Sequence, residues 1–441
     1  VTEVRRQPSG RDGFAWPIYE SMLGNGLRVV VSPDPVAPIV AVNLSYDVGS
    51  RHEPPGRHGW AKLASNLMFE GSAHVAKGQH FEWVTEAGGA AINASSSQDR
   101  NNFYQVLPSS QLELALWLEA DRMGGLRPTQ ESLDNQREVV KNERRQRYYD
   151  PPYGRWVEYA LELTFPNGHP YQHPAIGTEA ELDALTLQDI RLFHATYFVP
   201  NNAVLTVVGD AYPDQVIELA ERYFGGIRAV PAVPPAPDGT LPGLKIGAAH
   251  RRVEHDGNVP RPMTFFMFRA PDSRSGDYPA VEVLAAVLGR GKGSRLWRKL
   301  VVEERLAQRE NSYASSWNLA YGASAMFGMV SPLDGVEPAD VEYEFVNVLD
   351  RLADGSVPIS EPELSRAKAL LASDWLNGVS EVGGRADLLA QYALLKGDPR
   401  MICEYLPDLA AVTAEDVHRV AALVLAQDNR VAIEYKVAPR R

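Results

Sequence analysis

Hydrophobic and polar positions alternate along this chain in two recurring rhythms. Runs of β-branched and aromatic residues at Leu27–Val31, Ile39–Tyr46 and Ala203–Val208 predict strands. Between and after them, a helical period predicts helices over Trp60–Phe69, Phe81–Ala87, Gln111–Met123, Gln130–Tyr148, Leu187–Tyr197 and Ala211–Gly225. The segment Arg228–Leu244, RAVPAVPPAPDGTLPGL, breaks both rhythms with five prolines and two glycines and predicts a linker. Beyond it the order returns. Strands are predicted at Pro262–Phe268, Ala323–Val330 and Val431–Tyr435, and helices at Ala280–Leu288, Val341–Leu352 and Glu361–Val379.

The two halves also share a local signature. LTLQDI at Leu185–Ile190, followed by NNAVL at Asn201–Leu205, matches VTAEDV at Val412–Val417, followed by DNRVA at Asp428–Ala432, at a constant offset of 227 residues. A constant offset spanning a helix start and the next strand points to internal duplication. The fold expected is therefore α+β, in two homologous domains, each a mostly antiparallel sheet with helices packed on it. The boundaries expected are 1–227, a linker 228–244, and 245–441.

Composition narrows the classes. With 441 residues, 44% hydrophobic and 23% charged, the chain can bury more than one core. A net charge of -12 argues against a general nucleic-acid or anionic-membrane binder. The single cysteine, Cys403, excludes an intrachain disulfide and reads as a small buried hydrophobe. No apolar run approaches a membrane span, and the first twenty residues lack the regions of a signal peptide, so a cytoplasmic location is expected. His250 and His255 are five residues apart in a strand-like context, which puts them on opposite faces as surface residues; His169 and His173 read as structural loop residues. GRGKG at Gly289–Gly293 lacks the spacing of a phosphate-binding loop.

Candidate chemistry centres on Gly49–Ser72, GSRHEPPGRHGWAKLASNLMFEGS. The segment resembles the pitrilysin/insulinase family of zinc metallopeptidases, in particular its bacterial branch similar to mitochondrial processing peptidase. Members carry Gly-Ser-Arg-x-Glu-x-x-Gly, a helix with His-x-x-Glu-His, then Phe-x-Gly-Ser/Thr. The flanks stand here as Gly49, Ser50, Arg51, Glu53, Gly56, Phe69, Gly71 and Ser72, while the two His and the Glu fall on Lys62, Ser65 and Asn66. Two imidazoles four apart on one helical face can hold a zinc whose water the carboxylate polarises; an ammonium, a hydroxyl and an amide cannot. No metal is therefore expected in this chain, and no catalytic residue of the motif is intact.

The family's third ligand position survives as Glu143 in NQREVVKNERRQ. Either Lys62 takes the place of the metal charge and pairs with Glu143, or both are solvated. GGAAINASSSQDRNNFYQVLP resembles the family's strand that binds peptide by strand addition, with Asn93 and Ala94 as the peptide-lining pair; the other reading is an ordinary packed strand. The resemblance continues through LALWLEADRMGGL, GHPYQHPAIGTEAEL and FVPNNAVLTVVGD, and in the second half through GKGSRLWRKLVVEERLAQ. There the family's Arg and Tyr, seven apart and stabilising the substrate carbonyl, fall on Val301 and Gln308; Arg298, Arg305, Arg309 or Tyr313 could replace them only with a different geometry.

The resemblance implies a half-clamshell that closes with a second chain. The function expected is a non-catalytic subunit of a heterodimeric zinc metallopeptidase, inert alone, with peptide held for a zinc-bearing paralogue that carries the zinc. The alternatives are a structural subunit without a peptidase role, as family members in respiratory complexes have become, and an unconventional homodimeric hydrolase.

Overall fold

The computed structural model describes residues 16–308 and 312–438. Within the first half, β1 (Tyr19–Met22), β2 (Arg28–Pro33), β3 (Ile39–Tyr46), β4 (Ala91–Ser96), β5 (Asn101–Pro108) and β6 (Ala203–Gly209) form one sheet in the order β1-β2-β6-β3-β5-β4. Within the second, β7 (His250–Asp256), β8 (Met263–Ala270), β9 (Tyr313–Trp317), β10 (Ser324–Val330) and β11 (Arg430–Val437) form another, ordered β7-β11-β8-β10-β9. Each sheet has one parallel pair, β2 with β6 and β7 with β11, and is otherwise antiparallel. Apart from the extra β1, the two orders coincide. This is the α+β duplication expected.

The duplicated signature explains itself at atomic scale. Thr186 caps the helix Leu187–Tyr197 by accepting from the Asp189 N–H, and Thr413 caps Ala414–Val424 by accepting from the Asp416 N–H, each with the reciprocal carboxylate contact of a capping box. After each helix an asparagine ties the chain back: Asn202 Nδ2 donates to the Tyr197 carbonyl at 2.9 Å and Asn429 Nδ2 to the Val424 carbonyl at 2.8 Å. Both residues precede the parallel-paired strand, β6 or β11.

The first sheet is buried on both faces at its centre, which is why β3 and β6 read as continuous apolar runs. Val29, Val31, Val42, Leu44, Leu205 and Val207 share one core with Leu112, Leu116, Val216 and Leu219 of α3 (Leu112–Gly125) and the helix Pro213–Phe224. In the second sheet Phe265, Met267, Val431 and Ile433 pack with Tyr159, Leu161 and Phe165.

The compact units are not contiguous stretches of chain. One gathers the described residues through Glu143 with Ala175–Pro237 and Leu376–Pro407; the other gathers Arg144–Pro174, Asp238–Trp375 and the described residues from Asp408. Each sheet draws its strands from one side of the linker, while each compact unit draws on both sides. The helix Trp156–Thr164, although it precedes the linker, packs on β8 and β11, and the helix Val382–Gln391, although it follows the linker, packs on β3, β6 and β5. Hydrophobic faces found their partners across sequence distance. Residues 228–244 hold no helix or strand.

Candidate functional site

The motif helix is α1, Trp60–Leu67. Its approach is fixed by Gly59, whose φ of 92° is left-handed and whose added Cβ would stand 2.6 Å from the Ile176 carbonyl oxygen, so only glycine fits. Glu53, from the segment before the helix, caps it: its carboxylate accepts from the Gly59 N–H at 2.9 Å and the Ala61 N–H at 2.7 Å. Burial pushes the Glu53 carboxyl well above the usual carboxylate range, against the pull of those N–H groups. Glu53 thus builds the helix start, whatever the helix carries.

Along α1, Lys62 and Asn66 face α4 (Gln130–Arg144). The Lys62 ammonium lies 3.1 Å from Glu143 Oε2, with each side chain 21% exposed, so the ion pair, rather than two solvated groups, is what the fold contains. Two turns earlier on α4, Gln136 Oε1 accepts from Asn66 Nδ2 at 3.3 Å, while Gln136 Nε2 donates to Glu70 Oε1 at 2.7 Å. Glu70 Oε2 in turn pairs with Lys77 Nζ at 2.6 Å. Ser65 is 2% exposed.

These donors do not fit zinc. An ammonium bonded to Glu143 has no lone pair, the amide oxygen of Asn66 is a weak ligand in place of an imidazole, and a buried hydroxyl is no general base near neutral pH. Among the described residues no three His, Cys, Asp or Glu side chains stand together as a metal-holding group.

Beside α1 runs β4. It pairs with β5 alone and so forms an edge of its sheet, with burial alternating along its length. Asn93 is exposed, its Oδ1 accepting from the Ala94 N–H at 2.8 Å. Asn93 and Ala94 line a cavity of about 350 Å³ together with Lys62, Asn66, Phe69, Lys77 and Phe81. The structure therefore brings Lys62, Asn66, Asn93 and Ala94 into one place, adds Glu143 through the ion pair, and leaves Ser65 off the cavity wall. Sequence reasoning missed Glu70, Lys77 and Gln136. Only the seven-residue spacing of Gln136 from Glu143 on α4 hinted at a shared face.

The other candidates, Cys403 apart, lie in the second unit. Val301 sits in the π-helical turn Trp297–Glu303; the Gln308 N–H donates to the Ser331 carbonyl at 2.9 Å. Arg298 stands 3.9 Å from Glu303, Arg305 has a φ of 55°, Tyr313 begins β9, and Arg309 lies outside the described residues. His169 is structural: its Nε2 meets the Gly239 carbonyl at 3.0 Å, its Nδ1 accepts from the Tyr171 N–H at 3.0 Å, and burial lowers its pKa. His250 and His255 are exposed on β7, and Cys403 is buried.

Two sheets of this topology, with a degenerate motif helix beside a free edge, define a peptidase-like scaffold without the metal ligands. Residues 28–179 match the family model described as insulinase (peptidase family M16), and residues 184–371 match the peptidase M16 inactive domain. The chain belongs to the insulinase (M16) family. Its sequence is 29% identical over 409 residues to the zinc protease PqqE of Helicobacter pylori, covering 92% of this chain and 90% of that one. The crystal structure of a protease from Helicobacter pylori superposes with a TM-score of 0.87 at 28% identity, covering 96% of this chain and all of that one. The peptidase M16 inactive domain from Pseudomonas fluorescens shares the fold at a TM-score of 0.80 and 16% identity, over 96% of this chain. No helix among the described residues is long and apolar enough to cross a membrane.

Proposed function

We propose that this chain is the non-catalytic subunit of a heterodimeric zinc metallopeptidase, holding extended peptide for a zinc-bearing paralogue. The observation that carries the reading is the Lys62–Glu143 ion pair at 3.1 Å beside the free edge of β4. An ammonium replaces the positive charge that a metal would supply to Glu143, so the acidic residue stays neutralised after the imidazoles are gone. Strand addition needs only main-chain donors and acceptors on an exposed edge, and this edge outlasts the loss of a metal. The matched inactive-domain model and the zinc protease relative support the same reading. In it the chain binds no zinc, the paralogue holds it, and Asn93 and Ala94 flank the bound peptide.

The test is zinc content and peptidase activity of the purified chain, alone and mixed with an intact paralogue carrying His-x-x-Glu-His. Activity only in the mixture is the expected result. Metal and activity in the isolated chain would refute the reading.

A further inference from the structure

A second and larger cavity, about 730 Å³, opens on the opposite face of the same edge. The register Ala91↔Val106, Asn93↔Tyr104 and Ser95↔Asn102 places these residues on one face of the β4–β5 ladder. Ala91, Tyr104 and Val106 form one wall. Facing them is the first turn of the helix Val382–Gln391, which presents Val382, Gly383 and Gly384 and so contributes little side-chain bulk to fill the space. Val36, 92% exposed, stands at the lining as well.

Three carboxylates reach this cavity, and two are already paired. Asp34 is bonded to Arg385 at 2.5 Å. Asp387 accepts two bonds from Arg100 at 2.8 Å and one from Asn102 at 2.9 Å. The third, Glu381, is the exposed N-cap residue of the helix, and its side chain caps no N–H. The interior is thus walled by aliphatic and aromatic groups, with its charge neutralised except at Glu381.

The geometry points to a side-chain subsite for a bulky apolar residue of a peptide added to β4. The inference rests on the strand-addition reading above. An added strand projects successive side chains to opposite faces of the sheet, so a peptide on this edge places one residue toward the cavity of Lys62 and Phe69 and a residue an odd number of positions away toward the cavity of Tyr104 and Gly383. The edge would then read peptides on both faces.

The test uses the full chain and fluorescent host peptides with Gly, Leu, Lys or Asp scanned through each position, read by anisotropy. Burial of one Leu side chain gives an expected preference of about 10-fold or more for Leu over Asp at one position. Two variants narrow the cavity from opposite walls. At Gly383 a Cβ would meet Val106 Cγ2 at an ordinary 3.4 Å, so Gly383→Leu projects its side chain from an uncrowded backbone position, and Ala91→Leu alters an exposed strand position. Either should cut the preference to below about 3-fold. Peptides N-methylated on alternate amides cannot form the ladder and should not bind. Binding that is sensitive to N-methylation but indifferent to Leu against Asp, or that favours Lys, overturns the subsite and leaves strand addition standing. No binding of any peptide overturns both.

Discussion

The two sheets share one topology yet treat their corresponding edges differently. In the second unit the helix after β8, Tyr278–Gly289, is apolar nearly all round and packs directly on the edge strand β9; an added Cβ on Gly289 would stand 1.9 Å from the Ala314 nitrogen. In the first unit the helix after β3 is α1, and it turns Lys62 and Asn66 toward α4 and a cavity beside the edge strand β4. One copy of the duplicated scaffold packs an apolar helix against its edge strand, and the other keeps a polar cleft next to its own. The difference lies in the residues of a single helix rather than in the strand order.

The comparison can be broken most forcefully at α1. Replacing Lys62 and Asn66 together by histidine, with Glu143 retained, should raise the zinc held after dialysis to about one per molecule, against none expected for the unaltered chain, measured by atomic emission. Adding Glu143→Gln should weaken that binding by about 10-fold or more; zinc uptake indifferent to residue 143 would show that the pairing seen here does not mark the metal position.

Acid should separate the units next. Burial holds His52 at about 3, His80 at about 2 and His194 at about 4, with Arg51 beside His52 and Arg122 beside His80 adding to the effect; all three are in the first unit. The unfolded rings take protons below about pH 6.5 and the folded ones do not, so stability is full above that pH and falls as pH drops toward the folded values. Each ring should cost about 2 kcal/mol by pH 5. Glu53 and Glu119, raised by burial, act in the opposite sense and offset part of it. Hydrogen exchange at pH 5 against pH 7.5 should show first-unit amides losing more protection than second-unit amides; equal loss would remove the distinction.

The close helix–strand packing in the second unit can be tested with Gly289→Ala, which should cost about 1–3 kcal/mol in a denaturant melt because backbone atoms of β9 must move. Lys62→Met should cost about 1–2 kcal/mol, since Glu143 is left half-buried without its ammonium, and Lys62→Met with Glu143→Met should recover most of it. An additive double variant would mean the pair contributes nothing. The smallest expected effect is also the most symmetrical: Thr186→Ala and Thr413→Ala should each cost about 1 kcal/mol, because both remove the same capping box from equivalent helices.

Much of this was legible in the chain. The repeated helix start at Leu185–Ile190 and Val412–Val417 was visible because its residues recur at one offset, and β3, β6 and β8 because strands buried on both faces are apolar throughout. The loss of the motif centre at Lys62, Ser65 and Asn66 could be read directly, since a metal needs particular ligand atoms. The Asn66–Gln136–Glu70–Lys77 chain was not legible, because polar side chains on separate elements carry no record of which of them will meet.

Residue identity alone settled the duplication, the family and the missing zinc ligands, each of which rests on local spacing or on the atoms a side chain owns. Tertiary structure alone decided that Arg144–Pro174 and Leu376–Pro407 pack outside the halves that contain them in sequence, that Lys62 meets Glu143, and that β4 is an edge with a cavity on either face. Burial of apolar surface is non-directional and indifferent to chain distance, so which faces meet, and what is left open between them, is fixed only when the whole chain has packed.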